Sequence, residues 1–218
     1  MDYPPPPWKL KGQLYGSIWA VPLRNLQVEL PPVFKPLTLW GRTGVFAAFA
    51  DYQPGGTLTY HELLAGCVIQ LRGSLRFALT VTHMWVDSEA SLKGGRAMWA
   101  VPKELATFQF ASNRANRDFK GMAQNGLALA QGEFSGVVNL PRKLHLPVPF
   151  PALQMQNDLP LNASGSFWSV LELCRGCMAI PVESPLAQLG IAGRKPVLSF
   201  GGLDFRMHLE AARPLIIK

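Results

Sequence analysis

From Leu75 to Asp87 the side chains of Phe77, Leu79, Val81, His83 and Trp85 alternate with Ala78, Thr80, Thr82, Met84 and Val86. That period of two is the signature of a β-strand, and because both faces are largely apolar a central strand is expected. Similar segments occur at Leu14–Val21, Leu37–Trp40, Val45–Ala50, Leu64–Leu71, Thr107–Ala111, Leu127–Ala130, Cys177–Ile180, Val197–Phe200 and Phe205–Leu209. Gly and Pro turns such as Gln53-Pro54-Gly55-Gly56 separate them. About ten closely spaced strands predict a barrel or a sandwich. Helical signals are few: Ser88 is placed to cap Glu89–Lys93 before Gly94 and Gly95 stop it, and Ser184-Pro185 is a cap followed by proline. Pro141, Pro147, Pro149, Pro151 and Pro160 mark an irregular apolar segment between Leu140 and Leu161, expected to cover one mouth of the barrel. Strands continue on both sides of it and no repeat or linker appears, so residues 1–218 read as one domain.

Composition narrows the class. Hydrophobic residues make up 48% of the 218 and charged residues 16%, well under the roughly 25% of an average soluble domain. Disorder is excluded, and so sparsely charged a surface points to burial against further copies of the chain, a homo-oligomer. With 20 Gly and 19 Pro, long helices are disfavoured. No apolar run reaches the roughly 18 residues of a membrane span, and Met1-Asp2-Tyr3 before Pro4–Pro7 lacks the pattern of a signal peptide. Those prolines suggest a short polyproline II arm instead. The formal charge of +7 is spread out, with Arg114, Arg117 and Lys120 as the one short cluster and no interleaved aromatics, which argues against nucleic-acid binding. A positive field serves equally to attract a small carboxylate. Three cysteines, Cys67, Cys174 and Cys177, do not make a secreted disulfide framework, so a reducing cytoplasm is expected. Cys174-Arg-Gly-Cys177 has the spacing of half a metal or redox site, but no second such pair or nearby histidine pair completes it.

The chain has no glycine-rich phosphate loop, no G-x-S-x-G and no H-E-x-x-H, and its histidines are scattered. What stands out is Lys103, which follows an apolar run broken only by Pro102. A lysine so placed is expected to be partly desolvated. Desolvation disfavours an ammonium and leaves an amine that attacks carbonyl carbon, forming an imine that acts as an electron sink. Nine lysines are present, however, and most lysines are simply solvated charges.

The segment Gly95-Arg96-Ala97-Met98-Trp99-Ala100-Val101-Pro102-Lys103-Glu104-Leu105 resembles the G-R-E-x-x-x-x-P-K-K-L signature of the acetoacetate decarboxylase family. Met84-Trp85-Val86-Asp87-Ser88-Glu89 is similar to its lead-in, and Tyr60-His61-Glu62 to its Y-x-E. The resemblance implies an antiparallel β-barrel with a few short helices, an oligomer, and chemistry without a metal or dissociable cofactor. It makes Lys103 the Schiff-base nucleophile and Glu62 a carboxyl group facing it. Arg96, Gln13, Trp85, Trp99 and Phe46 are the candidate substrate contacts.

Three departures from the family pattern bear on the substrate. Glu104 stands where decarboxylases carry a second lysine, although adjacent side chains of an extended segment diverge. Gln13 stands near the position of an arginine, and Phe46-Ala47-Ala48-Phe49 is apolar where an acidic residue is expected. These make acetoacetate itself a poor substrate. The expected function is a Schiff-base lyase acting on a keto acid or related carbonyl compound, by decarboxylation or by aldol or dehydration chemistry. The alternative is a non-catalytic small-ligand-binding barrel lined by Trp85, Trp99 and Phe46. Arg96 has an equal reading as a structural ion-pair partner of Glu89 or Glu104.

Overall fold

The protein is described by a computed structural model covering residues 2–113, 118–139, 145–148 and 150–215. In chain order the elements are β1 (Trp8–Pro22), β2 (Phe34–Pro36), β3 (Thr38–Leu39), β4 (Arg42–Tyr52), β5 (Tyr60–Leu71) and β6 (Phe77–Val86). Helix α1 (Glu89–Trp99) follows, then β7 (Lys103–Leu105), β8 (Thr107–Asn113), β9 (Asp118–Asn125) and β10 (Leu127–Asn139). The remainder is β11 (Leu146–Val148), β12 (Leu153–Gln156), β13 (Leu159–Asn162), β14 (Ser166–Ala179), β15 (Leu198–Leu209) and β16 (Arg213–Pro214).

The large sheet runs in the order β7-β6-β5-β4-β1-β15-β14-β10-β9-β8, and β12-β13-β16 form a small second sheet. The mainly β expectation holds, but the barrel is not closed: among the described residues the hydrogen-bonded path ends at β7 and at β8. The sheet is also mixed, because β7 joins β6 in parallel. The strand expected to be central is β6, which is paired along its length by β5 but beyond it only by the three residues of β7 and a single parallel bridge from Leu79 to Ala152, among the described residues.

Period-two alternation explains how one sheet carries both a core and a cavity. On β5 the odd residues Leu63, Ala65 and Cys67 are fully buried in the main core with Ala47 and Phe49 of β4. There β8–β10 supply aromatic partners, with Phe119 stacked on Tyr15 at 4.4 Å and Phe110 edge-on to Phe49 at 5.5 Å. The even residues Glu62, Leu64 and Val68 face the opposite way, with Phe46, Ala48 and Tyr52 of β4, and line a cavity of about 650 Å³. With no closed barrel there is no mouth for the proline-rich segment to cover; instead Val148 of β11, Gln154 of β12 and Phe150 and Ala152 between them line the cavity. Residues 140–144 and Pro149 of that segment, and Arg114 and Arg117 of the basic cluster, lie outside the described residues.

Helix α1 corrects the sequence reading. Ser88 caps it, its hydroxyl accepting from the Ser91 amide at 3.2 Å, but the helix runs through Gly94 and Gly95 to Trp99. The two glycines permit close packing instead of ending the helix. A Cβ on Gly94 would lie 2.6 Å from the Trp8 ring, and one on Gly95 would lie 2.6 Å from Cδ and Cε of Lys103. The chain leaves the helix through Ala100, which takes the left-handed conformation at φ +53°. A non-glycine residue there costs about 1–2 kcal/mol, and the turn sends Val101-Pro102-Lys103 back along α1.

Candidate active site

Lys103 opens β7 opposite Met84, and the residue is only 4% exposed. Its Nζ donates to Glu62 Oε2 at 2.9 Å and to Ser91 Oγ at 2.8 Å, and lies 3.5 Å from the Tyr60 hydroxyl. Glu62, 3% exposed, also accepts from the Tyr52 hydroxyl at 3.0 Å and, more weakly, from Tyr60 at 3.4 Å. The two tyrosine rings stack at 4.3 Å, and the ammonium position is 5.0 Å from the Tyr60 ring centre. Burial, reinforced by the Glu62 charge, pushes both phenols well above their ordinary range, so they remain donors to the carboxylate. Each polar atom of this cluster therefore has a partner in surroundings that are otherwise hydrocarbon, the condition under which buried polar groups are tolerated. A single proton moved over 2.9 Å interconverts ammonium–carboxylate with amine–carboxylic acid.

Glu104, next along β7, turns to the other side and accepts from the Trp85 indole at 3.0 Å, so it is not at the amine. Of the remaining sequence candidates, Phe46 and Trp99 line the same cavity as Lys103 and Glu62. Trp99 is fixed by its indole N–H on the Glu210 carbonyl at 2.6 Å and packs edge-on against Trp8.

Three candidates are elsewhere. Arg96 is exposed, and its Nε donates to the Lys103 carbonyl at 2.7 Å, where it ties β7 to α1 without reaching the cavity. Neither proposed ion pair, with Glu89 or with Glu104, forms among the described residues. Gln13 lies on the face of β1 opposite Trp8, Leu10 and Leu14, and donates to Asp51 Oδ2 at 2.9 Å. Trp85 belongs to the main core, one position out of phase with the cavity-facing Met84. The alternation of β1 and β6 makes the placements of Gln13 and Trp85 unavoidable once Leu14 and Met84 face inward.

Ser91 and Tyr52 were not singled out from sequence. The signal for Ser91 was its place four residues before Gly95 on one helix face, hidden once the helix was ended at Lys93. Cys174 and Cys177 lie on β14 without a disulfide between them, and no group of three or more potential metal ligands converges among the described residues.

In backbone the chain is similar to acetoacetate decarboxylase from Legionella pneumophila, with a TM-score of 0.71 at 18% identity over 99% of this chain and 90% of that one. The enduracididine biosynthesis enzyme MppR complexed with pyruvate gives 0.69 at 16% identity over 98% and 91%. A second MppR structure holds the condensation product of pyruvate and imidazole 4-carboxaldehyde. An acetoacetate decarboxylase-like enzyme from Sphingomonas wittichii RW1 gives 0.68 at 12% identity over 98% and 94%. No curated protein sequence matches. The sequence model of acetoacetate decarboxylase (ADC) matches residues 2–148, a span that holds Lys103, Glu62 and the strands around them, so the chain belongs to the acetoacetate decarboxylase family.

Proposed function

We propose that the chain is a lyase that joins Lys103 in an imine to a keto acid or related carbonyl compound. The observation that carries this reading is one buried amine, bonded to one buried carboxylate, on the wall of a largely apolar cavity. The amine adds to the carbonyl carbon, and the carbinolamine loses its hydroxyl as water with a proton from Glu62. The iminium then accepts the electron pair of the carbon–carbon bond that breaks, releasing carbon dioxide from a β-keto acid or an aldehyde from an aldol. Glu62, now a carboxylate, takes the proton of the aldol hydroxyl in the aldol branch, or one from water in the decarboxylation branch, and passes it to the enamine carbon; water then adds to the iminium and frees the product and Lys103. Run in reverse, the enamine attacks an aldehyde, and loss of water from the adduct is the dehydration. The ligands of the MppR structures support the condensation branch, and the family supports the decarboxylation branch. No step calls for a metal or dissociable cofactor.

Residues 1–218 act as one domain in this reading. A reducing compartment and assembly into a homo-oligomer belong to the same reading, resting on the odd cysteine count and on the sparsely charged composition.

Steady-state assays with acetoacetate, and with pyruvate plus an aromatic aldehyde, test the reading. Lys103→Ala is expected to abolish whichever turnover is found, Glu62→Gln to reduce it by about 10²–10⁴-fold, and acetoacetate to be turned over poorly. Undiminished turnover in Lys103→Ala overturns the proposal. Ligand binding in the cavity with no turnover and no imine favours the non-catalytic binding module instead.

A further inference from the structure

The cavity is far larger and far less polar than a small keto acid requires. At about 650 Å³ it falls in the range of sites that enclose drug-sized molecules. Its lining along β5 runs from Glu62 to Val68, six residues, which at a strand rise of roughly 3.3 Å corresponds to about 20 Å. Beyond the Lys103 cluster most of the wall is Leu64, Val68, Ile18, Leu79, Leu198 and similar hydrocarbon. Lys103 is the one cationic side chain among the described lining residues, and it is already paired with Glu62. Arg96, the nearest arginine in sequence, is spent outside on a backbone carbonyl. Among the described residues a small carboxylate therefore finds no second cationic anchor, whereas a hydrocarbon body finds extensive apolar contact.

Two polar side chains interrupt the wall away from that cluster, Glu172 on β14 and Gln154 on β12. Glu172 is a second carboxyl group and adds nothing that would hold an anion. Gln154 is 5% exposed and donates from Nε2 to the Val81 carbonyl at 3.3 Å. Its carboxamide oxygen accepts no hydrogen bond among the described residues. Val81 lies three residues before Met84, the partner of Lys103, or about 10 Å along β6.

We infer that the substrate carries its carbonyl at the head of a long hydrocarbon body, which fills the apolar cavity from Lys103 toward Val68, and that Gln154 accepts a hydrogen bond from a hydroxyl or N–H part-way along it. This rests on the imine reading for the position of the carbonyl, but the body's binding does not depend on imine formation. Alkan-2-ols, which cannot form an imine, separate the two. Their affinity for wild-type protein, read from the fluorescence of Trp8 and Trp99 in the cavity wall, is expected to tighten from butan-2-ol to decan-2-ol by about three- to fourfold per methylene. Val68→Phe, or Leu79→Phe should the first not fold, shortens the far end, so the gain should stop at a shorter chain. Gln154→Leu is expected to weaken a chain bearing a second, mid-chain hydroxyl about tenfold while tightening the plain chain.

Affinity that is flat with chain length, or a gradient that neither far-end substitution alters, overturns the inference. Equal effects of Gln154→Leu on both chains remove the role of Gln154. Should the gradient hold while alkan-2-ones of the same lengths give no borohydride-trapped adduct, the imine reading falls and the apolar site stands. Trapping of pyruvate together with a flat gradient keeps the imine and removes the long-chain substrate.

Discussion

Adjacent glycines in α1 show how a single methyl group can separate chemistry from stability. Gly95→Ala gains up to about 1 kcal/mol of helix propensity, yet the new Cβ would occupy the space of the Lys103 stem at 2.6 Å. A buried lysine held by Glu62 and Ser91 cannot yield without losing those bonds. The expected outcome is a folded protein, with a melting temperature within a few degrees of wild type, whose rate of imine formation falls by tenfold or more. Gly94→Ala meets the Trp8 ring, which is 1% exposed and packed against Trp99. Overpacking there costs about 1–3 kcal/mol, so this variant should lose thermal stability. Equal behaviour of the two variants in melting and trapping assays would show that the helix is not positioning Lys103. At this scale the sequence already exposed Lys103 and Glu62, because a resemblance points to residues. It misplaced Gln13 and Trp85, because a motif does not state which face of a strand its neighbours occupy, and Arg96, because ending the helix at Lys93 hid that it sits on α1.

At the scale of elements, β5 and β6 are tied at the active-site end by His61 and Asp87. The imidazole Nδ1 lies 2.6 Å from Asp87 Oδ2, and the His61 amide donates to Oδ1 at 2.7 Å. The hydrogen bond to Asp87 raises the His61 pKa against the opposing effect of partial burial, with the Asp87 and Asp51 charges adding to the rise. Burial pushes Asp87 up, but its hydrogen bonds from His61 outweigh that and leave it lowered. A raised histidine stabilises the fold fully below its unfolded value near 6.5 and loses that contribution as pH rises through its folded value. A lowered aspartate stabilises above its unfolded value near 3.9 and loses that as pH falls through its folded value. The pair therefore contributes most at about pH 4–6.5. Both groups are partly exposed, so the contribution is about 1 kcal/mol or less. Urea midpoints of wild type and His61→Gln should differ more at pH 5.5 than at pH 8.5; a difference that grows with pH contradicts the assignment.

The strands themselves were legible where an alternation, as in β6, or an apolar run bounded by turn residues, as in β4 and β5, was strong. β14 and β15 were seen only in pieces: Gly176, Gly201 and Gly202 interrupt their hydrophobic pattern, and the ladders that carry the chain across those glycines are non-local. β9 was missed for the same reason, since Asp118-Phe119-Lys120-Gly121 reads as a turn until Phe119 meets Tyr15.

For the molecule as a whole, a doubly apolar sheet has two ways to dispose of its faces. One is filled by the aromatic residues of β8–β10 and the other is roofed over a cavity. Nothing in the period of a strand distinguishes a face that will be packed from one that will line a void, so the cavity's size was not readable from sequence. Neither was the open end of the sheet, which depends on how far it curls. The solid face makes a separate claim testable: burial pushes the Cys67 thiol up to about 12, and Cys177 is exposed. Aromatic disulfide reagents at pH 8 should modify Cys177 in the native protein and reach Cys67 only after denaturation. Prompt modification of Cys67 would mean that the core around β5 opens readily.

The central claim is that the buried amine of Lys103 forms an imine. Incubation with a panel of keto acids and methyl ketones, reduction with borohydride and peptide mass mapping tests it most directly. The expected result is a single reduced adduct on the peptide containing Lys103, absent in Lys103→Ala and slowed in Glu62→Gln. Adducts on another lysine, or an undiminished adduct in Lys103→Ala, would contradict it.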